Sequence, residues 1–91
     1  AINTIEMNFS GDCWIEIMDK NRILEYQLAK AGSSIYIEAA GPFKLIIGNS
    51  KRAQLFYNGA KISLASTTNV KTNVSCLVLP KGRCSEFTLP N

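Results

Sequence analysis

The segment from Gly41 to Gly59 constrains the fold of this chain more than any other part of its sequence. It begins with Gly41-Pro42, which interrupts the preceding element because proline fixes its φ angle and glycine accepts conformations that other residues avoid. The run from Phe43 to Ile47 then alternates with the period of a β-strand, so its apolar side chains gather on one face. The segment therefore opens with a strand whose apolar face consists of Phe43, Leu45 and Ile47.

Two further runs follow that strand. Residues 48–52 are polar and contain glycine, which is typical of a turn, and Ala53 to Tyr57 is a second strand-like run. Asn58-Gly59 is the dipeptide most typical of a tight hairpin, because both residues accept a positive φ. Lys61 to Leu64 is then a short returning strand. The segment predicts two hairpins that share a central strand in the middle of an antiparallel sheet.

The run from Arg22 to Ala29 is open to two interpretations. Its residues alternate like those of a strand, with Leu24, Tyr26 and Leu28 on one face, but the apolar ones also fit the 3–4 spacing of a helix. Turn residues lie close on both sides, and about eight residues are few for a helix. We therefore predict a strand here.

Similar alternation recurs along the rest of the chain, and no sustained helical period interrupts it. Short runs bounded by turn residues at this spacing are typical of an all-β sandwich or a small barrel. Ser66 to Asn73 has no pattern and is predicted to be a loop, and Pro80-Lys81-Gly82 is predicted to be the tip of a last hairpin. The remaining predicted strands are Ile5–Phe9, Cys13–Met18, Ser34–Ala39, Val74–Leu79 and Arg83–Leu89.

These elements predict one all-β domain over residues 1–91, because a chain of this length builds a single modest core. We expect a two-layer antiparallel β-sandwich, immunoglobulin-like, with about seven to nine short strands. The residues expected in its core are Ile5, Phe9, Ile15, Ile17, Leu45, Ile47, Leu55 and Leu64.

Composition excludes several classes of function. The chain has no histidine, which removes the usual general base and a usual metal ligand, so we predict neither an enzyme nor a cofactor. Its net charge of +3 is spread along the sequence, whereas a nucleic-acid site needs clustered cations. No apolar run approaches the roughly 20 residues of a membrane helix. The seven carboxylates fit solvated strand faces and turns better than a glycosidase-like acid–base pair.

The three cysteines divide into a pair and a single residue. Cys76 and Cys84 lie symmetrically about Pro80, so an odd-numbered loop would place them directly across the hairpin, close enough for a disulfide. Two free thiols are the alternative, and the disulfide is favoured because it would stabilise the domain by about 2–3 kcal/mol. Cys13 shares a face with apolar neighbours and is expected to be buried and reduced. Three distant cysteines make a poor zinc site.

Three residues are candidates for a surface that contacts a partner. Trp14 and Phe56 fall on strand faces opposite the expected core, and exposed aromatic side chains stack on sugars or anchor protein partners. The alternative for both is packing under loops or in a second small core, which is the favoured interpretation. Arg52, an outward residue in the turn before a strand, is the third candidate.

Three ordered blocks of the sequence resemble the C-terminal domain of the bacterial cell-shape protein RodZ. The blocks are Asp12–Asp19, Gly41–Asn49 and Leu55–Gly59. In all, the resemblance covers roughly Ile5 to Leu89. One part departs from it, because the segment between Leu64 and Phe87 is longer than is usual in the family and holds the extra stretch Ser66–Cys84 with both paired cysteines.

The resemblance implies a non-catalytic periplasmic domain of a single-pass inner-membrane protein. Because the chain starts at Ala1 without an initiator methionine or a signal-peptide pattern, we expect it to be a piece of such a protein. A separate cytoplasmic domain in that family binds filaments of the actin-like MreB, so that activity is not expected here. The implied partners are membrane-anchored proteins of the cell-wall elongation machinery, with membrane contact only through a segment outside this chain.

Two other functions stand beside this expectation. The domain could be a carbohydrate-binding module that holds peptidoglycan through Trp14 or Tyr36, or, third in order, a hydrolase with a cleft of converging carboxylates. An aromatic platform beside polar side chains would support sugar binding. A flat apolar patch or an open sheet edge would support protein binding instead.

Overall fold

The strands of this chain lie where apolar and polar residues alternate, because an alternating strand buries one face and leaves the other in water. The computed structural model describes residues 2–82 and 84–87, which contain nine strands and three short 3-10 helices. The strands are β1 (Asn3–Phe9), β2 (Cys13–Met18), β3 (Ile23–Ala29), β4 (Ser34–Ala39), β5 (Phe43–Gly48), β6 (Ala53–Tyr57), β7 (Ala60–Ile62), β8 (Thr68–Asn69) and β9 (Val74–Leu79). The 3-10 helices are Ser50–Arg52, Ala65–Thr67 and Cys84–Glu86. Within the described ranges no helix has the length and apolar character needed to cross a membrane.

These strands form two antiparallel sheets that pack face to face. The four-stranded sheet has the order β4-β1-β6-β7, and the five-stranded sheet has the order β3-β2-β5-β9-β8. The prediction of an all-β, two-layer antiparallel sandwich is confirmed. The helical alternative for Arg22 to Ala29 is wrong, because β3 pairs along its length with β2.

The core lies between the two sheets and draws on both of them. Alternate residues of β1 and β6 point into it from one side, and alternate residues of β2, β5 and β9 from the other. Removing these apolar side chains from water is the main favourable contribution to folding. All eight residues predicted for the core are buried. Met7, Cys13, Ala29, Ile35, Phe43, Leu77 and Leu79 join them.

β5 and β6 do not pair with each other, so the prediction of two hairpins sharing a central strand is wrong. β5 lies between β2 and β9, whereas β6 lies between β1 and β7 in the other sheet. The chain crosses from sheet to sheet at Asn49, whose φ is 60°, and the 3-10 helix Ser50–Arg52. This crossing lets Leu45 and Leu55 reach one core from opposite sides. Only the second predicted hairpin, of β6 and β7, is present.

β3 contains an irregularity that changes which of its residues face the core. Its register with β2 shifts between Ile17 and Met18, which leaves Leu24 as an extra residue in β3. A bulge of this kind breaks the period-2 alternation. Leu24 therefore packs against the core while Tyr26 and Leu28 face outward, so the prediction that these three residues share a face is wrong.

The last part of the chain also departs from its prediction. Cys84–Glu86 is a 3-10 helix and not part of a strand, so the last hairpin is wrong over these residues. Arg83 and Thr88-Leu89, at the two ends of that predicted strand, lie outside the described residues. The predicted loop Ser66 to Asn73 contains a two-residue strand, because β8 pairs with β9.

Gly41 fixes the entry of the chain into β5. Its φ is +80°, a conformation that L side chains rarely adopt, and a Cβ atom there would lie 2.8 Å from Cε2 of Phe43. The residue is therefore required both for the backbone turn and for the close approach of the Phe43 ring.

Candidate interaction surface

The outer face of the five-stranded sheet is apolar, and we call it the apolar face. Its members follow from the register, because residues directly opposite each other on neighbouring strands point to the same side. Its apolar members are Trp14, Met18, Ile23, Tyr26, Leu28, Ile46, Val74 and Val78, and the charged residues Glu16 and Lys44 point to the same side. Five of these side chains are exposed, with Tyr26 at 59%, Ile23 at 55%, Leu28 at 47%, Trp14 at 38% and Val74 at 37%. Most of the large exposed hydrophobic side chains of the described residues therefore lie on one side of the molecule.

Trp14 and Tyr26 form the centre of the exposed half of the apolar face. Their rings meet edge to face with centroids 4.9 Å apart, and the indole Nε1–H of Trp14 donates a hydrogen bond of 2.9 Å to Glu16 Oε2. Gly48 on the neighbouring strand leaves room for Trp14, because a Cβ atom on Gly48 would lie 3.2 Å from the Trp14 Cβ atom. The tryptophan is thus held in one orientation by its neighbours and is still partly exposed. It is therefore both packed and accessible, whereas the sequence offered these as alternatives.

The alternation of β3 is inverted relative to that of an ordinary edge strand. Glu25 and Gln27 point to the core side of the sheet, where their side chains hydrogen-bond to each other at 2.9 Å. The apolar residues Tyr26 and Leu28 point to the outside. An edge strand normally directs its polar residues to water on the outer face. β3 contacts the core through Leu24 and Ala29, and its outward apolar residues are suited to a further apolar contact on the outer side of the sheet.

The other half of the apolar face is crossed by the end of the described chain. Cys76 points outward from β9 and is joined by a disulfide to Cys84, with their Cα atoms 5.9 Å apart. The Nζ atom of Lys20 then lies 5.6 Å from the ring centre of Phe87. Met18 faces the same side and is only 5% exposed. The disulfide thus holds Cys84 to this face from a 3-10 helix and not, as predicted, from a facing strand.

The outer face of the four-stranded sheet, which we call the polar face, has a different composition. One row across it contains Tyr36, Glu6, Phe56 and Lys61 in register. Tyr36 is 60% exposed and Phe56 is half-buried. Desolvation, the charge of Glu38 and a hydrogen bond to it, and the charge of Glu6 together raise the pKa of Tyr36, so its phenol stays protonated. The other members of this face are Thr4, Asn8, Ser34, Glu38 and Gln54.

Three adjoining cavities surround Lys51 where the chain crosses between the sheets, and we call them together the basic groove. Their volumes are about 290, 250 and 490 Å³, and Lys51 lines all three. Arg52 lines the second cavity and Lys61 the third. The backbone carbonyl of Arg52 accepts a hydrogen bond of 2.8 Å from the Ser10 N–H.

The three partner-surface candidates from the sequence lie on three separate surfaces. Trp14 belongs to the apolar face, Phe56 to the polar face and Arg52 to the basic groove. Sequence reasoning missed Tyr26 and Leu28 as surface residues. A signal for the apolar face was available, because β2, β5 and β9 carry apolar residues at both alternating positions, as strands buried on two faces do.

Cys13 is the free cysteine among the described residues, and it is buried. Its thiol lies 3.4 Å from the carbonyl oxygens of Gly11 and Asn49. Desolvation and the neighbouring charge of Asp12 raise the pKa of Cys13, which keeps the thiol protonated and weakly nucleophilic. Over residues 2–82 and 84–87, no group of three or more cysteine or carboxylate side chains is arranged to hold a metal ion.

The family model of the RodZ C-terminal domain matches residues 6–75 of the 91-residue chain. The match runs from β1 to the second residue of β9 and stops before Cys76, so the disulfide-bonded end lies outside it. No solved structure matches the chain.

Proposed function

Because the chain belongs to the RodZ C-terminal domain family, a family of cell-shape scaffold domains, we propose that it is a non-catalytic interaction domain in the periplasm. Its partners are the periplasmic parts of membrane-anchored proteins of the cell-wall elongation machinery. The contact is made by the exposed half of the apolar face, centred on Trp14 and Tyr26.

The observation that carries this proposal is the exposure of large apolar side chains on one side of the sandwich. Trp14, Tyr26 and Leu28 lie together there, and contiguous exposed apolar surface on a soluble domain marks interaction sites. Tryptophan and tyrosine are also the residues that most often carry the binding energy of protein interfaces. Leu28 lies opposite Trp14, and Ile23 lies on the same face of β3 as Tyr26, so aliphatic surface flanks the two rings and favours a protein partner. The carboxylate beside the rings, that of Glu16, already accepts the hydrogen bond of the Trp14 indole.

Two features of the described residues support a non-catalytic role. The three cavities of the basic groove are lined by no carboxylate and no cysteine, so none of them offers a pair of groups for acid–base or nucleophilic chemistry. The raised pKa of Cys13, together with its burial, removes that thiol as a nucleophile.

A photo-crosslinking amino acid placed on each outer face tests the proposal in the cell that makes this protein. Tyr26 and Tyr36 are a matched pair, because they are the same residue type and are 59% and 60% exposed on opposite faces. Replacement of Tyr26 should give crosslinks to proteins of wall elongation, identified by mass spectrometry, and replacement of Tyr36 should not. Equal crosslinking from both positions, or crosslinks from position 36 alone, would contradict the proposal.

A second candidate function, binding of peptidoglycan, is favoured by one observation on the polar face. Tyr36 is exposed there beside Glu6 and near Glu38, and a protonated phenol with neighbouring carboxylates is suited to a sugar ring and its hydroxyl groups. Co-sedimentation with purified peptidoglycan tests it. Binding that is lost on Tyr36→Ala and kept on Tyr26→Ala would support this candidate over the first.

A further inference from the structure

The basic groove carries an inference that is independent of the apolar face. Its three cavities are neighbours: the first and third share Leu64, the second and third share Ala53 and Gln54, and all three share Lys51. A bound segment could therefore run continuously around Lys51. The groove begins at the crossing between the sheets and extends onto the edge of the polar face, because Asn8, Gln54 and Lys61 belong to both.

The charges of the groove all have one sign. Lys51, Arg52 and Lys61 line it, and no aspartate or glutamate does. The ion pair found among the described residues joins Lys30 to Asp12, so these three cations are not neutralised within that part of the chain. Glu6 lies in the same row of the sheet as Lys61, but Phe56 lies between them, so the two charges are not neighbours. The groove therefore attracts negative charge.

The backbone of the groove is held in place from several sides. Ser50 is buried, its N–H donates to the Asn73 carbonyl at 2.9 Å, and its hydroxyl lies 2.8 Å from that of Thr68. The aliphatic stem of Arg52 packs on Gly11, where a Cβ atom would lie 3.0 Å from the Arg52 Cγ atom. A preformed site loses less conformational entropy on binding, so this rigidity favours a ligand-binding role.

The cavity of about 290 Å³ adds an apolar component to the groove. Leu64, Ala65 and Val70 line it beside Lys51, and Val70 is 89% exposed. Its volume lies just below the range of roughly 300–1,000 Å³ that is usual for small-molecule sites. A single apolar side chain fits such a space, and no aromatic residue lines it to stack on a sugar or a base.

We propose that the basic groove binds an acidic segment of a partner protein, with one apolar side chain in the cavity of Leu64, Ala65 and Val70. The carboxylates of that segment pair with Lys51, Arg52 and Lys61. Charge complementarity selects the acidic segment, and the aliphatic cavity selects a peptide over an anionic sugar or lipid headgroup. This site goes beyond the proposed contact on the apolar face and uses none of its residues.

Selection of phage-displayed random heptapeptides on the immobilised 91-residue chain tests the proposal. We expect enrichment of peptides with several aspartate or glutamate residues and one leucine, isoleucine or phenylalanine. The triple variant Lys51→Glu, Arg52→Glu, Lys61→Glu should lose this preference. The control Arg22→Glu, Lys71→Glu, Lys81→Glu makes the same change in net charge at exposed residues outside the groove and should keep it.

A synthetic peptide of the selected sequence then measures the effect by fluorescence anisotropy. Its Kd should rise at least tenfold for the groove variant, and Ala65→Phe, which fills the apolar cavity, should weaken it several-fold. No enrichment of acidic peptides, equal weakening in the charge-matched control, or equally tight binding of dextran sulfate would overturn the proposal. Circular dichroism of each variant checks that it has kept its β-sheet fold.

Discussion

The two outer faces of the sandwich are built from the same kind of short antiparallel strand, yet they differ in chemistry. The polar face has Glu6 between its two aromatic residues and Asn8 and Gln54 in the next row, as a solvated sheet face should. The apolar face has Trp14 and Tyr26 beside Glu16 and several aliphatic side chains, and the disulfide-bonded end of the chain crosses one part of it. The exposed apolar side chains are therefore concentrated on one of the two outer faces. The difference supports the proposal that a partner covers the exposed half of the apolar face.

The largest effect should follow from releasing the segment that crosses the apolar face. The double variant Cys76→Ser, Cys84→Ser should lower the free energy of unfolding by about 2–3 kcal/mol, because the disulfide closes a short loop in the unfolded chain. It should also raise the binding of a hydrophobic fluorescent dye, since Met18 and its neighbours become accessible. Urea denaturation and dye titration measure the two changes.

Thiol counting on the unaltered protein provides the control for that experiment. With the disulfide intact, one thiol, that of Cys13, should react, and only after unfolding. Three reactive thiols in protein purified without reductant, or an unchanged unfolding midpoint in the double variant, would contradict the role given to the disulfide.

A smaller effect should separate the two faces directly. Tyr26→Asp should weaken capture of the wall-elongation partner at least tenfold, whereas Tyr36→Asp should change it less than twofold. The substitution at Tyr26 removes its edge contact with Trp14, so we expect a loss of about 1 kcal/mol in stability, and about 0.5 kcal/mol or less at Tyr36. Tyr26→Phe should retain both stability and capture, and equal losses at the two positions would remove the contrast between the faces.

The smallest effect should come from a polar contact that belongs to neither face. Asp12 lies between β1 and β2 and accepts hydrogen bonds from the Ala31 N–H at 2.9 Å and from Lys30 Nζ at 3.3 Å. These bonds hold the pKa of Asp12 below its ordinary value of 3.8. A carboxylate with a lower pKa in the folded state stabilises the fold above its unfolded pKa, and this contribution is lost as pH falls through the folded value.

We therefore expect a small decrease of the thermal midpoint below about pH 4 that Asp12→Asn removes. Thermal melts of both proteins between pH 2.5 and 6 measure it. A larger pH dependence in the variant than in the unaltered protein would show that the assignment is wrong. Because the Asp12 side chain is half-exposed, the effect should be much smaller than that of the disulfide.

The sequence predicted best what depends on local alternation. The core faces of β1, β2 and β5 follow from a period of two, and each of their predicted residues is buried. The hairpin at Asn58-Gly59 follows from the φ angles that these residues accept, and Asn58 has a φ of 51°. A few residues that are neighbours in the sequence determine each of these features.

What the sequence did not predict depends on distant residues. A polar segment such as residues 48–52 can close a hairpin or carry the chain across the core, and the choice is made by β2 and β9, which take both sides of β5. The bulge at Leu24 depends likewise on the strand opposite, and the register of β3 with β2 sets the outward direction of Tyr26. The apolar face therefore emerged only once strand pairing was known.

The position of β1 between β4 and β6 constrains the order in which the strands can pair. Ile5 pairs with Ile37 on one side and with Tyr57 on the other, so both neighbours of the first strand come from far along the chain. Closing such long loops costs entropy before any contact compensates for it, whereas β2 and β3 form a local hairpin at once. We therefore expect the β2–β3 hairpin to form before β1 is paired on both sides, because the first strand has to wait for β4 and β6. A chain that ends before Ala53 leaves its first strand with one side unpaired.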